Sequence, residues 1–190
     1  ATPNNWGVFL GDLGHAYSFR SRAVDLAGHV ETWPAGADTT TTVDSKWPTS
    51  DIFWYAPGAS ADSIFLYNGN GSHRSIARPI SGTYTPLVGN FNADIQADIF
   101  WYAPGLAADS LFLATGSGSF QSFPQKVNGW YSPLVGDFND DMVDDIFWYA
   151  PGAGADSLFL SNFDGSFRSV AQRVNGTYMP LVGDFNGDGI

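Results

Sequence analysis

The octapeptide DIFWYAPG occurs three times in this chain without a change, at residues 51–58, 98–105 and 145–152. Successive copies start 47 residues apart, and each is followed by the similar run ADSIFL or ADSLFL. A polar turn, a further strand-like run and the tetrapeptide PLVG with an Asn- and Asp-rich loop come next. A fixed period of this size predicts a repeat architecture in which each copy forms one structural unit.

The octapeptide predicts a strand that is apolar on both faces. In an extended strand, Ile52, Trp54 and Ala56 lie on one side. Phe53 and Tyr55 lie on the other side, so both faces must be covered by protein. Sheets that stack face to face around an axis meet this requirement. The predicted fold is therefore all-β: a partial β-propeller built from 47-residue, four-stranded blades.

Each blade is expected to contain four strands. The first is PLVG with the next two residues, the second is DIFWYA, the third is ADSLFL, and the fourth is a run of mixed polarity. The fourth strands are predicted at residues 73–79, 120–127 and 167–174. The last copy of PLVG opens a first strand at 180–185 that no further octapeptide follows. We therefore expect an incomplete ring, either a fragment of a longer chain or one of several copies, which self-associates through exposed blade faces.

The N-terminal residues 1–36 lie outside the repeat. The run HAYSFRSRAVDLAGHVETWP, residues 15–34, predicts a strand, a turn at DLAGH and a return strand at Val30–Trp33, with a third strand at Trp6–Leu10. This run resembles the last two strands of a fibronectin type III domain, through Tyr17, Phe19, Arg20, Arg22, Ala23, Asp25, Ala27 and Gly28. A complete domain of that type needs about 100 residues. We thus expect fibronectin-like strands at 1–36, a linker or edge strand at 37–50, and the blades at 51–190.

Charge and composition exclude several classes of partner. The net charge is −11, and the eight basic residues are scattered along the chain, so a nucleic-acid partner is not expected. No apolar run approaches the roughly 18–20 residues that span a bilayer, so membrane insertion is not expected either. The chain contains no cysteine and therefore no disulfide.

Three Asn- and Asp-rich loops separate the first and second strands: NFNADIQAD (90–98), DFNDDMVDD (137–145) and DFNGDGI (184–190). Their odd positions carry oxygen donors, which calcium prefers, and the seventh position offers a backbone carbonyl. The expected calcium ligands are Asp137, Asn139, Asp141, Val143 and Asp145; Asn90, Asn92, Asp94, Gln96 and Asp98; and Asp184, Asn186, Asp188 and Ile190. The alternative is that these loops are hairpin turns rich in Asn and Asp for backbone reasons alone.

The three loops should differ in affinity. The loop at 137–145 carries five aspartates and the loop at 90–98 only two. Two like charges ~4 Å apart repel by roughly 4 kcal/mol at a near-surface effective dielectric, and a cation would relieve that repulsion. We therefore expect tighter binding at 137–145.

An EF-hand is excluded, because its twelfth position needs a bidentate Glu and here holds Trp101 or Trp148 within a strand. The run PLVGDFNGDG together with DIFWYAPG resembles the FG-GAP repeat (integrin α-like, VCBS-type), over about residues 45–190. The resemblance implies structural calcium and a secreted or cell-surface location, in bacteria. Ile95 and Met142 depart from it, since they occupy the sixth position, where glycine allows the sharp turn.

We accordingly expect a non-catalytic, calcium-stabilised extracellular module for binding or adhesion, with a protein or glycan ligand. No nucleophile or metalloprotease motif such as G-x-S-x-G or H-E-x-x-H occurs, and the three histidines are isolated. The alternatives are a calcium-assisted, carbohydrate-binding lectin and an accessory domain of a secreted hydrolase, whose catalytic domain would belong to a longer parent chain.

Overall fold

A computed structural model describes residues 15–42, 50–58 and 61–187. The chain divides into two compact units, Ala1–Ser50 and Asp51–Ile190. The described residues form thirteen strands and no helix, so the prediction of an all-β chain is confirmed. Nothing in these described ranges forms a helix that could span a bilayer.

The described residues of the first unit form one antiparallel strand pair, β1 (Ala16–Phe19) and β2 (Thr39–Thr42). Its ladder sets Tyr17 opposite Thr41 and Phe19 opposite Thr39. The β-branched threonines suit an extended backbone, which explains why this tract forms a strand. The partner of β1 therefore comes from the segment 37–50, which was expected to be a linker or an edge strand.

The return strand expected at Val30–Trp33 is not formed. The chain does turn at DLAGH, where the Asp25 carboxylate accepts hydrogen bonds from the backbone N–H groups of Ala27 and His29 at 2.8 and 2.9 Å. Beyond the turn, only the single bridge between Val24 and Val30 closes the hairpin. Pro34 ends the run one residue after Trp33, and a proline donates no backbone hydrogen bond to a ladder. The strand expected at Trp6–Leu10 lies outside the described residues.

In the second unit, residues 51–58 and 61–187 form three antiparallel sheets in which each strand pairs with the next along the chain. One sheet is three-stranded and two are four-stranded, so the prediction of repeated four-stranded sheets is confirmed for the latter two. The strands are β3 (Ile52–Trp54), β4 (Ser63–Tyr67) and β5 (His73–Ala77); β6 (Thr85–Gly89), β7 (Asp98–Tyr102), β8 (Asp109–Gly116) and β9 (Ser119–Gln125); and β10 (Ser132–Gly136), β11 (Asp145–Tyr149), β12 (Asp156–Ser161) and β13 (Phe167–Gln172). The octapeptide supplies the second strand of each repeat.

The first strand expected at 180–185 is not formed, although its sequence repeats that of β6 and β10. Within the described part of the chain, no strand forms a hydrogen-bonded ladder with this run. A strand needs a neighbour to satisfy its backbone groups, so the same sequence is extended in two repeats and irregular in the third.

The three sheets pack face to face through the octapeptide. The rings of Phe53 and Tyr55 lie 5.5 and 5.0 Å from the ring of Trp101 in the next sheet. One repeat further on, Phe100 lies 5.4 Å from Trp148. In both junctions, the face of the sheet that carries the octapeptide Phe and Tyr (the Phe and Tyr side) contacts the face of the following sheet that carries the octapeptide Trp (the Trp side). Trp101 and Trp148 are only 2% and 1% exposed, so the expected covering on both faces is present in the middle of the stack.

Candidate metal centre

The Asn- and Asp-rich loops connect β6 to β7 and β10 to β11, at the same end of two neighbouring sheets. They are joined to each other. The backbone N–H of Asn90 donates to the Asp144 carboxylate at 2.7 Å, and the N–H of Asp144 donates to the Asn90 carbonyl at 2.8 Å. The ninth residue of each loop begins the second strand, so loop geometry and strand position are coupled.

In the 137–145 loop, the Asp137 carboxylate accepts four backbone hydrogen bonds. The donors are the N–H groups of Asn139, Asp140, Asp141 and Met142, at 3.2, 2.8, 3.3 and 2.8 Å. Burial acts to raise the pKa of Asp137, but these four donors together outweigh it and lower the pKa below its ordinary value. The loop is thus wound around a carboxylate that stays ionised.

The next odd positions follow the same pattern. The Asn139 side-chain oxygen accepts from the Asp141 N–H at 3.1 Å, and the Asn139 amide donates to the Asp141 carboxylate at 2.9 Å. The other oxygen of Asp141 accepts from the N–H of Val143 at 3.0 Å, and the Val143 side chain is fully buried. The structure therefore brings the expected ligands at positions one, three, five and seven into one connected turn.

The ninth residue, Asp145, has a structural task that the sequence did not reveal. It is fully buried, and its carboxylate accepts from the N–H groups of Phe138 in the loop and Ser161 in β12, at 3.1 and 2.9 Å. Asp98 makes the corresponding pair of bonds to its own loop and to β8. The ninth aspartate thus braces the loop against the third strand of its sheet.

Charge repulsion adds to the cost of burying these aspartates. Burial raises the pKa of Asp145, and the nearby carboxylates of Asp141 and Asp137 raise it further, against the effect of its backbone hydrogen bonds. Burial also raises the pKa of Asp98, with smaller contributions from Asp94 and Asp144. In the 137–145 loop, Asp137 and Asp141 therefore lie close enough to disfavour the ionised form of Asp145.

The 90–98 loop is organised around Asp94. Its carboxylate accepts from the Asn92 side-chain amide at 2.9 Å and from the Gln96 backbone N–H at 2.7 Å. Its backbone carbonyl accepts from the Asn90 side chain at 2.5 Å. These residues lie together in one turn, but at the first position the Asn90 amide replaces the carboxylate that Asp137 provides in the 137–145 loop.

Only part of the third loop is described. The Asp184 carboxylate accepts from the N–H of Gly187 at 2.6 Å, as Asp137 accepts from the N–H of Asp140. Asn186 is described, whereas Asp188 and Ile190 lie outside the described residues. The first turn of this loop therefore repeats the winding of the middle loop.

The sixth position differs between the loops. Met142 has φ +68°, and Asp140, two residues earlier, has φ +62°, both in the left-handed region that non-glycine residues rarely adopt. In the 90–98 loop the positive φ falls on Ala93, at +62°, and Ile95 avoids that region. The left-handed conformation that a glycine would allow at the sixth position is therefore present at Met142 and absent at Ile95.

The donor chemistry of the 137–145 loop fits a hard cation such as calcium, because every side-chain donor is an oxygen. Among the described residues, none of its carboxylates forms an ion pair with a lysine or an arginine. In that same part of the chain, no three His, Cys, Asp or Glu side chains converge tightly enough to hold an ion by themselves. A bound ion would thus depend on the Asn139 oxygen and the Val143 carbonyl as well as on the carboxylates.

Two further repeated hydrogen-bond devices support the sheets. The buried Asp109 carboxylate accepts from the N–H groups of Ala103 and Val127, at 2.7 and 2.6 Å, and so joins the ends of the second and fourth strands. Asp62 and Asp156 make the same bonds in their own sheets. The recurrence of an aspartate at the start of the third strand in all three copies is the sequence signal that predicts these bonds to the backbone.

The second device is the octapeptide tyrosine. The Tyr102 hydroxyl donates to the Gly129 carbonyl at 2.7 Å and accepts from the Tyr131 N–H at 2.9 Å. Tyr55 and Tyr149 repeat both bonds one sheet earlier and one sheet later. Each tyrosine thereby fixes the turn that leads out of its sheet.

No protein-family model, no curated protein and no solved structure matches the chain. The functional argument therefore depends on the loops and the sheets.

Proposed function

We propose that residues 51–190 form consecutive blades of an FG-GAP-like β-propeller whose first-hairpin loops bind calcium as a structural ion. The module acts outside the cell, without catalysis, in binding or adhesion to a protein or glycan ligand. Two four-stranded sheets of roughly similar length support the propeller geometry. They pack so that the Phe and Tyr side of the first contacts the Trp side of the second. The proposed calcium loops lie at one end of these sheets.

The buried Asp145 is the observation that carries the proposal. It is fully desolvated and repelled by Asp137 and Asp141, and it still braces β12 through Ser161. A cation between these carboxylates removes the repulsion and leaves the brace intact. Because the same residue serves the loop and the sheet, calcium affinity becomes folding stability, roughly 2.7 kcal/mol at one hundred times the dissociation constant.

The proposed binding role rests on a loop whose conformation is fixed by a bound metal ion. A loop fixed at the end of a rigid sheet presents its neighbours to a partner without a large ordering cost. The net charge of −11 favours ligands that tolerate or complement an acidic surface, and calcium at the loops would supply local positive charge. These are the conditions for a calcium-dependent contact with an extracellular protein or glycan.

Calcium titration by calorimetry, with thermal unfolding in calcium and in chelator, tests the metal. Asp141→Asn removes a ligand charge and should weaken calcium binding at least tenfold. Asp140→Asn is the matched control: it lies in the same loop, at an even position, and is exposed. It should change affinity less than threefold. Absence of binding heat and of any calcium-dependent rise in Tm, or equal losses in the two variants, would refute the site.

Arrays of glycans and extracellular proteins, probed in calcium and in chelator, test the binding role. We expect capture of at least one ligand class in calcium, reduced in chelator and in Asp141→Asn but not in Asp140→Asn. Capture that ignores both the chelator and the variants would show that the metal does not organise the binding surface. Absence of capture on both arrays would contradict the module's role.

A further inference from the structure

The two outer faces of the three-sheet stack are of opposite kinds. On the β3–β5 sheet the Trp side is open: Trp54 is 52% exposed and Ile52 is 37% exposed. The equivalent tryptophans of the next two sheets, Trp101 and Trp148, are buried under the Phe and Tyr side of the sheet before. The first sheet therefore presents a face that is built to be covered.

No described sheet covers the Phe and Tyr side of the β10–β13 sheet, although Tyr149 on that side is only 2% exposed. This side forms an apolar groove lined by Leu134, Phe138, Phe147, Tyr149, Tyr178 and Leu181, among others. In the sheet before it, the counterpart of Phe147 is Phe100, which is fully buried against Trp148. The groove therefore corresponds to the surface of the preceding sheet that contacts the Trp side of the β10–β13 sheet.

Two pairings between a first and a second strand are also missing among the described residues. β3 lacks the first-strand neighbour that β7 and β11 have, and the run 180–185 has the first-strand sequence but no ladder. The run 180–185 already lies next to β10. A Cβ on Gly136 would lie 3.0 Å from Val182 Cγ1, and a Cβ on Gly89 would lie 2.9 Å from Val135 Cγ1. Val182 therefore sits beside β10 as Val135 of β10 sits beside β6.

We propose that the groove and the run 180–185 together accept the β3–β5 sheet of a second copy of this chain. The run becomes the missing first strand of that sheet and pairs antiparallel with its β3. The register follows from the ladder of β6 and β7, where Val88 lies opposite Ile99. Across the new junction, Val182 of one copy lies opposite Ile52 of the other.

Polar groups favour a second copy over an unrelated apolar partner. At the second internal junction, the Gln125 side chain donates to the Gly165 carbonyl at 2.7 Å, and Arg78 makes the equivalent bond at the first junction. The positions 47 residues away are Gln172, in the last sheet, and Gly71, in the first. The donor Gln172 belongs to one outer sheet, and the acceptor, the Gly71 carbonyl, belongs to the other. A head-to-tail contact between two copies would therefore form the same hydrogen bond that joins neighbouring sheets within the chain.

The contact is heterologous, since each copy uses a different face. Such an interface gives a closed ring when the rotation between copies returns to the start, and an open chain of copies when it does not. The contact also gives hydrogen-bond partners to the unpaired backbone groups of β3 and of the run 180–185, because an added strand pairs along the whole edge.

Directed cross-linking tests the register, and the chain has no cysteine of its own. Paired residues of an antiparallel ladder have Cα atoms about 4.5–5.5 Å apart, within the range that a disulfide spans. Mixing the Ile52→Cys and Val182→Cys chains under oxidation should give a cross-linked dimer that neither variant gives alone. Leu181→Cys mixed with Ile52→Cys is one residue out of register and should not cross-link. Equal cross-linking of both mixtures, or dimers of single variants, would overturn the proposal.

Sedimentation velocity tests the association itself, in calcium and in chelator alike, which separates it from the metal site. The wild-type mass should rise with concentration, and Leu181→Asp should abolish the rise. Leu106→Asp is the control, since Leu106 is also exposed, at 87%, but lies away from both faces, in the turn after β7. Circular dichroism confirms that both variants are folded. A wild-type chain that stays monomeric at every concentration, in both conditions, would overturn the proposal.

A gain of affinity provides a second, independent measurement. His73 occupies the position that Phe120 and Phe167 hold in the later sheets, where Phe167 packs against Phe100 of the preceding sheet. His73→Phe should therefore strengthen association by roughly tenfold, the effect of burying one more fully apolar ring. Unchanged or weaker association would contradict the proposed placement of this face.

Discussion

Replacing Tyr102 with Phe removes one hydroxyl group and keeps the shape of a side chain that is 1% exposed. The hydroxyl donates to the Gly129 carbonyl at 2.7 Å and accepts from the Tyr131 N–H at 2.9 Å. Burial also raises the pKa of Tyr102, so the hydroxyl stays protonated at every pH of interest. The substitution thus tests a hydrogen-bond device without changing charge or volume.

The cost can be estimated from the partners that remain. The Gly129 carbonyl still accepts from the Gly105 N–H at 2.7 Å, so it keeps one hydrogen bond. The Tyr131 N–H loses the tyrosine oxygen and is left without that acceptor. An unsatisfied buried donor costs about 1–3 kcal/mol, and the lost bond to the carbonyl adds up to about 1 kcal/mol. We expect Tyr102→Phe to lower the free energy of unfolding by about 2–3 kcal/mol.

Urea denaturation measures this loss. With an m-value of about 1–3 kcal/mol/M, the midpoint should fall by roughly 1 M or more at unchanged m. Tyr131→Phe is the matched control, because its hydroxyl makes only an exposed 3.4 Å bond to the Asn128 carbonyl, and its cost should stay below about 0.5 kcal/mol. If the two variants unfold at the same urea concentration, the tyrosine device contributes nothing and the reasoning fails.

Three further predictions concern pH, backbone strain and packing. Burial raises the pKa values of Asp98 and Asp109 in the folded state above the ordinary 3.8, so the folded chain binds protons more readily than the unfolded chain. In chelator, these two carboxyls should therefore raise the urea midpoint as pH falls from neutral, as long as the pH stays above the ordinary value at which Asp137 and Asp164, whose pKa values are lowered, would act in the opposite direction; a fall over that window would contradict it. Met142→Gly relieves a φ of +68° and should raise stability by up to about 1 kcal/mol and not weaken calcium binding, as judged by Tm and calorimetry. Gly118→Ala should cost about 1–3 kcal/mol more than Gly71→Ala, since both have positive φ but only Gly118 meets side chains of the neighbouring sheet, and equal costs would rule out that packing.

The sequence was sufficient for the strands whose pattern is local. In DIFWYAPG, strict alternation predicted which side chains share a face, and apolar residues on both sides predicted covering from both directions. The middle sheet confirms this, because Trp101 on one side and Tyr102 on the other are 2% and 1% exposed. Trp54 carries the same local pattern and is 52% exposed, so burial depended on a neighbouring sheet that the local sequence does not describe.

Strand formation at repeated sequences shows the same dependence on partners. The tetrapeptide PLVG is part of β6 and of β10, where a second strand lies beside it, and forms no strand at 180–183. In the first unit, Ala16–Phe19 pairs with Thr39–Thr42 rather than with the nearer run after the turn. Both outcomes depend on contacts between residues that are distant in sequence.

For the candidate metal site, the sequence predicted which residues gather but not all that they do. The odd positions of the 137–145 loop stand together because alternate residues of a tight turn face the same point. The brace made by Asp145 requires Ser161, sixteen residues away in another strand. Asp144 stands at an even position and so was not a ligand candidate, yet it holds the backbone of Asn90 in the preceding loop. Asp144 lies within the loop that calcium would order, and its carboxylate bonds to Asn90 of the neighbouring loop. Calcium bound at 137–145 would therefore stabilise the junction between the two sheets as well as its own hairpin.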